Sequence, residues 1–185
     1  MENALFVGLD VGTTAIKAGV YDEHGQLLAS DRKPMKVLRT SEGWSEQDMT
    51  LLWETTLSCL ADTLAHVEAS DVRSIGVSGQ GDGLWLLDAD KKPFRNAILW
   101  NDQRAQKQIS TWIEDGTSDK LAKFCQTANW PGTAGACLRW LADEEPQALE
   151  AAAHILFCKD WIGYCLTGQI TTDFNSGYGF TAIIV

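Results

Sequence analysis

Residues 8–22, GLDVGTTAIKAGVYD, decide how the start of this chain folds. The apolar run that ends at Asp10 predicts a short buried strand, and AIKAGVYD alternates well enough to predict a second strand after the VGTT turn. QLLASDRKP follows the turn DEHG and predicts a third strand. Three strands joined by such short turns predict an antiparallel meander.

The tip of the first hairpin carries an unusual set of polar groups. An acid, a glycine, two hydroxyls and a cation fall together there: Asp10, Gly12, Thr13, Thr14 and Lys17. A carboxylate can reach Mg2+ through water, and amides after a glycine can donate to phosphate oxygens. The pattern is neither GxxxxGK[ST] nor GxGxxG before a helix. Both a site for metal-bound phosphate and a plain hairpin therefore stay open.

The rest of the chain predicts an α/β layered domain. Residues 49–69 predict a long helix capped by Asp48, with Leu52, Thr56 and Leu60 on one face. Residues 72–79 predict a short buried strand, and residues 84–88 and 97–100 predict two more strands. From Asp102 onward the pattern is mainly helical, and the apolar run over residues 154–168, with His154 at a strand entry, leads into the last predicted helix. Strands followed by helices indicate an α/β fold class.

A glycine-rich loop, SGQGDGLWLLD at residues 78–88, carries groups suited to a sugar. The Asp82 carboxylate can accept from two hydroxyls, and the Gln80 amide can both donate and accept. Trp85 could offer an apolar wall to the C–H face of a sugar. The alternative is a flexible turn beside a core tryptophan.

Two further segments predict helix entries. In AILWNDQRA, residues 97–105, Asn101 or Asp102 could cap a helix. Asp102 and Arg104 could pair with each other, or one of the two could face a ligand. A cap with a salt bridge is the favoured interpretation. In GWSEQDMTLLW, residues 43–53, the polar SEQD stretch predicts a helix entry with Trp44 and Trp53 in the core.

Composition excludes several classes of function. The chain has 185 residues and a formal net charge of -10 without a basic run, which argues against nucleic acid. ATP can still bind, because backbone amides and a metal ion supply a local positive field. The sequence shows neither an apolar membrane span nor a secretory signal. Five cysteines, an odd count without CxxC, predict free thiols in a reducing cytoplasm.

In their order along the chain, GLDVGTT with Lys17, GWSEQD with Trp53, GQGDG and LWNDQR resemble the N-terminal half of the FGGY family of carbohydrate kinases. The resemblance runs from Phe6 to about Asp173. It implies the N-terminal lobe of an actin-like ATPase (ribonuclease H-like) fold, a mixed sheet with helices. It also implies transfer of the γ-phosphoryl group of MgATP to a sugar or polyol hydroxyl in a cleft between two lobes.

The resemblance assigns roles to the polar residues singled out above. Asp10 is expected at the metal, and four residues are expected at the ATP phosphates: Gly12, Thr13, Thr14 and Lys17. Six are expected at the substrate: Gln80, Gly81, Asp82, Asn101, Asp102 and Arg104. The loop looks most like that of L-xylulose and erythritol kinases. Xylulokinases tend to have Met-His in place of Gly81 and Asp82, which makes D-xylulose less expected.

The resemblance also predicts what these 185 residues lack. Residues 1–185 are expected to be an N-terminal lobe truncated before its end, with the catalytic aspartate beyond Val185 and the C-terminal lobe absent. In DFNSGYGF only Asp173 fits the family pattern. The fragment alone is therefore expected to be inactive, and its exposed apolar surface makes a homodimer possible. An actin-like ATPase without a sugar site and a non-enzymatic sugar-sensing module remain as alternatives.

Overall fold

The strands in the described part of the protein form one main sheet and two small ones. The computed structural model describes residues 4–173 and residue 176. The strands are β1 (Leu5–Val11), β2 (Ala15–Tyr21), β3 (Leu27–Pro34), β4 (Leu38–Arg39), β5 (Ser45–Gln47), β6 (Val72–Gly79), β7 (Trp85–Leu87), β8 (Ala97–Ile98) and β9 (His154–Leu156). The main sheet has the order β3-β2-β1-β6. The predicted meander β1–β3 is confirmed, and β6 joins it parallel to β1, so the sheet is mixed.

The helices lie between and after these strands. They are α1 (Met49–Leu64), α2 (Gln106–Glu114), α3 (Thr117–Cys125), α4 (Ala134–Glu144), α5 (Pro146–Ala151) and α6 (Cys158–Thr167). The Asp48 carboxylate accepts from the Leu51 amide at 2.9 Å, which confirms the predicted N-cap. The predicted end of α1 at residue 69 was wrong. The helix ends at Leu64, because a turn and a short 3-10 helix at Ala69–Asp71 must lead the chain into β6.

The C-terminal part also differs from the prediction. The run from residue 154 was predicted to lead into the last helix, with His154 at a strand entry, but all of residues 154–156 form a strand, β9, which pairs antiparallel with β7. The apolar side chains of this short strand pack beside those of β7, which outweighs helical propensity. The helix α6 begins only at Cys158, where the Asp160 carboxylate accepts from the Phe157 amide at 3.0 Å.

The core lies on one face of the main sheet. Residues of β1 alternate, so that Leu9 and Val11 point toward α1 and α6, whereas Phe6 and Gly8 lie on the open face. A second apolar cluster joins β7 and β8 to α2 and α4. The prediction that β6 is a buried strand was wrong, because β6 forms the edge of the sheet and Ile75 is 37% exposed.

Candidate functional site

The carboxyl ends of β1 and β6 open onto a single cleft of about 450 Å³. Because these strands are parallel neighbours, with Asp10 opposite Ser78, the loops that follow them emerge side by side. The carboxyl ends of neighbouring parallel strands are a common place for ligands in α/β proteins. The lining consists of Asp10, Gly12, Thr13, Gly79, Gln80, Gly81, Asp82, Trp100 and Trp130.

The turn between β1 and β2 is closed by a hydrogen bond from the Gly12 amide to the Ala15 carbonyl at 3.1 Å. A Cβ atom on Gly12 would lie 2.9 Å from that oxygen, so the turn requires glycine. Asp10 and Lys17 are cross-strand partners, and Lys17 Nζ lies 3.0 Å from Asp10 Oδ2. Ser78 Oγ donates to the other oxygen of Asp10 at 3.4 Å.

A chain of hydrogen bonds joins this turn to the glycine-rich loop. The Thr13 hydroxyl donates to Gln80 Oε1 at 3.0 Å and accepts from Trp100 Nε1 at 3.1 Å. Gln80 Nε2 donates to Gln47 Oε1 at 2.8 Å, and Gln47 Nε2 donates to the Thr13 carbonyl at 3.0 Å. Three predicted motifs are therefore held together, and Gln47, which had been placed in a helix entry, belongs with them.

Asp82 enters the cleft from a tightly bent loop. Its own φ is 54° and that of Gly83 is 85°, so two consecutive residues adopt left-handed conformations. Burial raises the pKa of Asp82, and the backbone amide of Ala134 at the start of α4 opposes that rise. A carboxylate in this position is partly stripped of water and is suited to accept hydrogen bonds from ligand hydroxyls.

Two tryptophans form the apolar wall of the cleft. Trp100 is 44% exposed, and its carbonyl accepts from Trp130 Nε1 at 2.9 Å. Of the two interpretations left open for Trp85, the core tryptophan is confirmed and the ligand wall was wrong, because Trp85 is fully buried. The sequence carries no spacing signal that would single out Trp100 and Trp130. They meet only because the loop after β8 packs against the segment before α4.

The three predicted substrate residues after β8 do not line the cleft. The side chains of Asp102 and Arg104 are 0% exposed and pair through Nε and Oδ1 at 2.9 Å, with Arg104 also bound to Glu46 at 2.7 Å. Burial alone would lower the pKa of Arg104. Its hydrogen bonds to these two carboxylates have the larger effect, so the pKa is raised. Asn101 Oδ1 is buried without a hydrogen-bond partner within the described part of the chain. The geometry therefore supports the salt bridge, whereas the predicted cap was wrong, because the N-cap of α2 is Ala105 and makes no side-chain hydrogen bond.

Thr14 and Lys17 also lie outside this lining. Lys17 belongs to a second, larger concavity of about 820 Å³ on the open face of the sheet, and Asp10 borders both spaces. Among residues 4–173 and residue 176, no group of three or more acidic, histidine or cysteine side chains could hold a metal ion. Asp10 thus offers one carboxylate, which fits Mg2+ because this ion is often bound by one or two carboxylates plus water and phosphate oxygens.

A separate ionic cluster lies at the end of the described chain. Lys159 Nζ lies 2.7 Å from Asp173 Oδ2, and this contact, with the Ser176 amide, holds the pKa of Asp173 well below its usual range. The other residues of DFNSGYGF at positions 174–175 and 177–180 lie outside the described residues.

The five cysteines are free thiols. In the part of the chain described, no helix is long and apolar enough to cross a membrane.

Known proteins show the same fold. The structure of ligand-bound xylulose kinase from Lactobacillus acidophilus superimposes with a TM-score of 0.91 at 25% identity, over 96% of this chain and 36% of that one. The L-xylulose/3-keto-L-gulonate kinase of Escherichia coli (strain K12) is 37% identical over 165 residues, which cover 88% of this chain and 33% of that protein. The xylulose kinase of Bacillus subtilis (strain 168) is 31% identical over 175 residues, 94% of this chain and 35% of that protein.

The fold is therefore that of a sugar kinase with the actin-like ATPase architecture, represented here by its N-terminal part. The model of the FGGY family of carbohydrate kinases, N-terminal domain, matches residues 5–179. The chain belongs to the FGGY family of carbohydrate kinases. It spans about a third of the length of the curated relatives it matches.

Proposed function

We propose that the full protein containing this chain transfers the γ-phosphoryl group of ATP to a hydroxyl of a ketopentose or polyol. The observation that carries the proposal is the hydrogen bond from Thr13 to Gln80, which joins the turn after β1 to the loop after β6 at one cleft. In this proposal residues 12–14 are the phosphate turn and residues 80–83 are the sugar loop. The kinases named above support the same reaction class. For the catalytic base we propose an aspartate in another part of the full protein, as the resemblance implies.

Each group in the cleft takes a role that its geometry allows. The Gly12 amide already closes the turn, so the phosphate donors we propose are the amide of Thr13, which lines the cleft, and that of Thr14, which follows it in the chain. Asp10 would hold Mg2+ directly or through water, and the ion would neutralise charge on the phosphate oxygens. Lys17, which lines the neighbouring concavity and lies 3.0 Å from Asp10, would orient that carboxylate.

The sugar side of the cleft combines polar and apolar contacts. Gln80 and Asp82 present an amide and a carboxylate to the acceptor hydroxyls, and Gly81 leaves room because nothing lies within 4 Å of where its Cβ would be. Trp100 and Trp130 face the C–H side of the sugar and help to exclude water. We propose an L-xylulose-like ketopentose as the acceptor, in keeping with the names of the relatives, and the cytoplasm as the compartment.

The test is ADP release by the full gene product with L-xylulose, D-xylulose, L-ribulose, erythritol, glycerol and gluconate. We expect turnover with a pentulose or tetritol that requires both ATP and Mg2+. The variant Asp10→Asn should lose at least about 100-fold in turnover. Asp90→Asn, in an exposed turn, serves as its matched control. ATP hydrolysis that no acceptor stimulates would favour the actin-like ATPase alternative, and sugar binding without turnover would favour a sensor.

A further inference from the structure

The side chain of Gln47 is fully buried between the two loops of the cleft. Its Nε2 donates to the Thr13 carbonyl at 3.0 Å, and its Oε1 accepts from Gln80 Nε2 at 2.8 Å. Both ends of the amide are therefore used, one on each loop. Gln47 does not line the cleft, so it acts on ligands only through these two residues.

The backbone that carries Gln47 is held on both sides along the chain. Within β5, Gln47 pairs with Ala97 of β8, and two residues earlier the Ser45 amide donates to Asp102 at 2.6 Å. On the other side Asp48 caps α1. A side chain that leaves such a fixed backbone and is enclosed on all sides has few alternative rotamers. Its position therefore fixes the positions of its two partners.

Thr13 is linked to both glutamines, to one through its hydroxyl and to the other through its backbone carbonyl. Its hydroxyl donates to Gln80, and its carbonyl accepts from Gln47, which itself accepts from Gln80. The three side chains thus close a ring of hydrogen bonds. Loss of Gln47 would leave a carbonyl and an amide unpaired in a poorly hydrated place, and the two loops would move to find new partners.

We propose that Gln47 is a positioning residue that fixes the distance between the phosphate turn and the sugar loop. The inference rests on the proposed kinase function. In phosphoryl transfer the protein forms no covalent intermediate in this proposal, so the relative placement of the phosphoryl donor and the acceptor hydroxyl is a main source of the rate enhancement. Gln47 sets that placement before either ligand binds.

The test compares Gln47→Met with Gln108→Met in the full gene product. Both glutamines are buried and donate through the side-chain amide, but Gln108 donates to Asp143 at 3.1 Å, away from the cleft. For Gln47→Met we expect a higher KM for the acceptor and a fall in kcat/KM of about 10- to 100-fold. For Gln108→Met we expect KM within about twofold of wild type. Equal kinetic effects in the two variants would overturn the proposal.

A second measurement does not depend on turnover. Unfolding free energies of Gln47→Met, Gln80→Met and the double variant form a cycle, which should be non-additive because the two side chains bind each other. An additive cycle overturns the inference whatever the kinetics show. A wild type that turns over no acceptor, combined with a non-additive cycle, overturns the proposed function and leaves the link between the loops standing. A merely structural role would lower the active fraction and leave KM unchanged.

Discussion

Replacement of Arg104 by methionine should destabilise the protein strongly. Its side chain is fully buried and binds Asp102 through two nitrogens, at 2.9 and 3.0 Å, and Glu46 at 2.7 Å. Its guanidinium also lies 4.5 Å from the ring centre of Trp44 and 5.1 Å from that of Trp140. Methionine retains much of the volume but leaves the Asp102 carboxylate buried without its cation.

The magnitude follows from the burial of the pair. Breaking a buried ion pair by removing one partner costs about 3–5 kcal/mol, because the remaining charge stays desolvated. For a domain of this size each kcal/mol lowers Tm by roughly 2–4 °C, so the expected fall is about 6–20 °C. The assay is thermal unfolding followed by circular dichroism at neutral pH.

The matched control is Arg139→Met. Arg139 also pairs with an aspartate, Asp143, at 2.9 Å, but its side chain is 57% exposed. An exposed pair contributes less than about 1 kcal/mol, so the control should lower Tm by no more than about 4 °C. If Arg104→Met and Arg139→Met have the same Tm, the reasoning from burial is refuted.

Three further predictions concern single side chains. Asp82→Asn should raise the unfolding free energy at pH 7. Burial raises the pKa of Asp82 in the folded state, so the charged carboxylate costs stability as pH rises, whereas the neutral amide of asparagine does not. In urea unfolding, the difference in unfolding free energy between variant and wild type should disappear below about pH 4, where aspartate is protonated in both states. Gly132→Ala should reduce acceptor binding about tenfold or more in calorimetry, because its Cβ would lie 1.8 Å from the carbonyl oxygen of Trp100, a residue of the cleft wall. Gly163→Ala is the control and should leave acceptor binding unchanged, since nothing lies within 4 Å of where its Cβ would be. Asp48→Ala should cost about 1 kcal/mol in urea unfolding through loss of the α1 cap, and an unchanged midpoint would contradict that role.

The N-terminal hairpin and the helix cap could be predicted because they depend on neighbours in sequence. Alternation, turn residues and a capping aspartate act over a few positions, so β1–β3 and the start of α1 follow from the pattern. The strand β9 could not be predicted in this way, since His154–Leu156 is extended only because β7 lies beside it. Long-range pairing of a short apolar segment leaves no local signal.

The same distinction applies to the cleft. The motifs around Thr13 and Gln80 were recognisable from their glycines and polar side chains. Gln47 was not, because a glutamine before a helix cap has many structural uses, and its role depends on partners 33 and 34 residues away. Asp102 and Arg104 were ambiguous for the opposite reason. Their spacing permits both a ligand contact and an ion pair, and only their burial decides for the pair.

The charge balance of the cleft bears on how a triphosphate could bind there. The chain has a formal net charge of -10, and Lys17, on the strand that follows the phosphate turn, is paired with Asp10 at 3.0 Å. Side-chain charge on this part of the protein therefore provides little net attraction for phosphate. Attraction must come from oriented amides of the turn, from a metal ion at Asp10, or from residues elsewhere in the protein. In the proposed kinase, nucleotide affinity should consequently depend on Mg2+ more steeply than on Lys17.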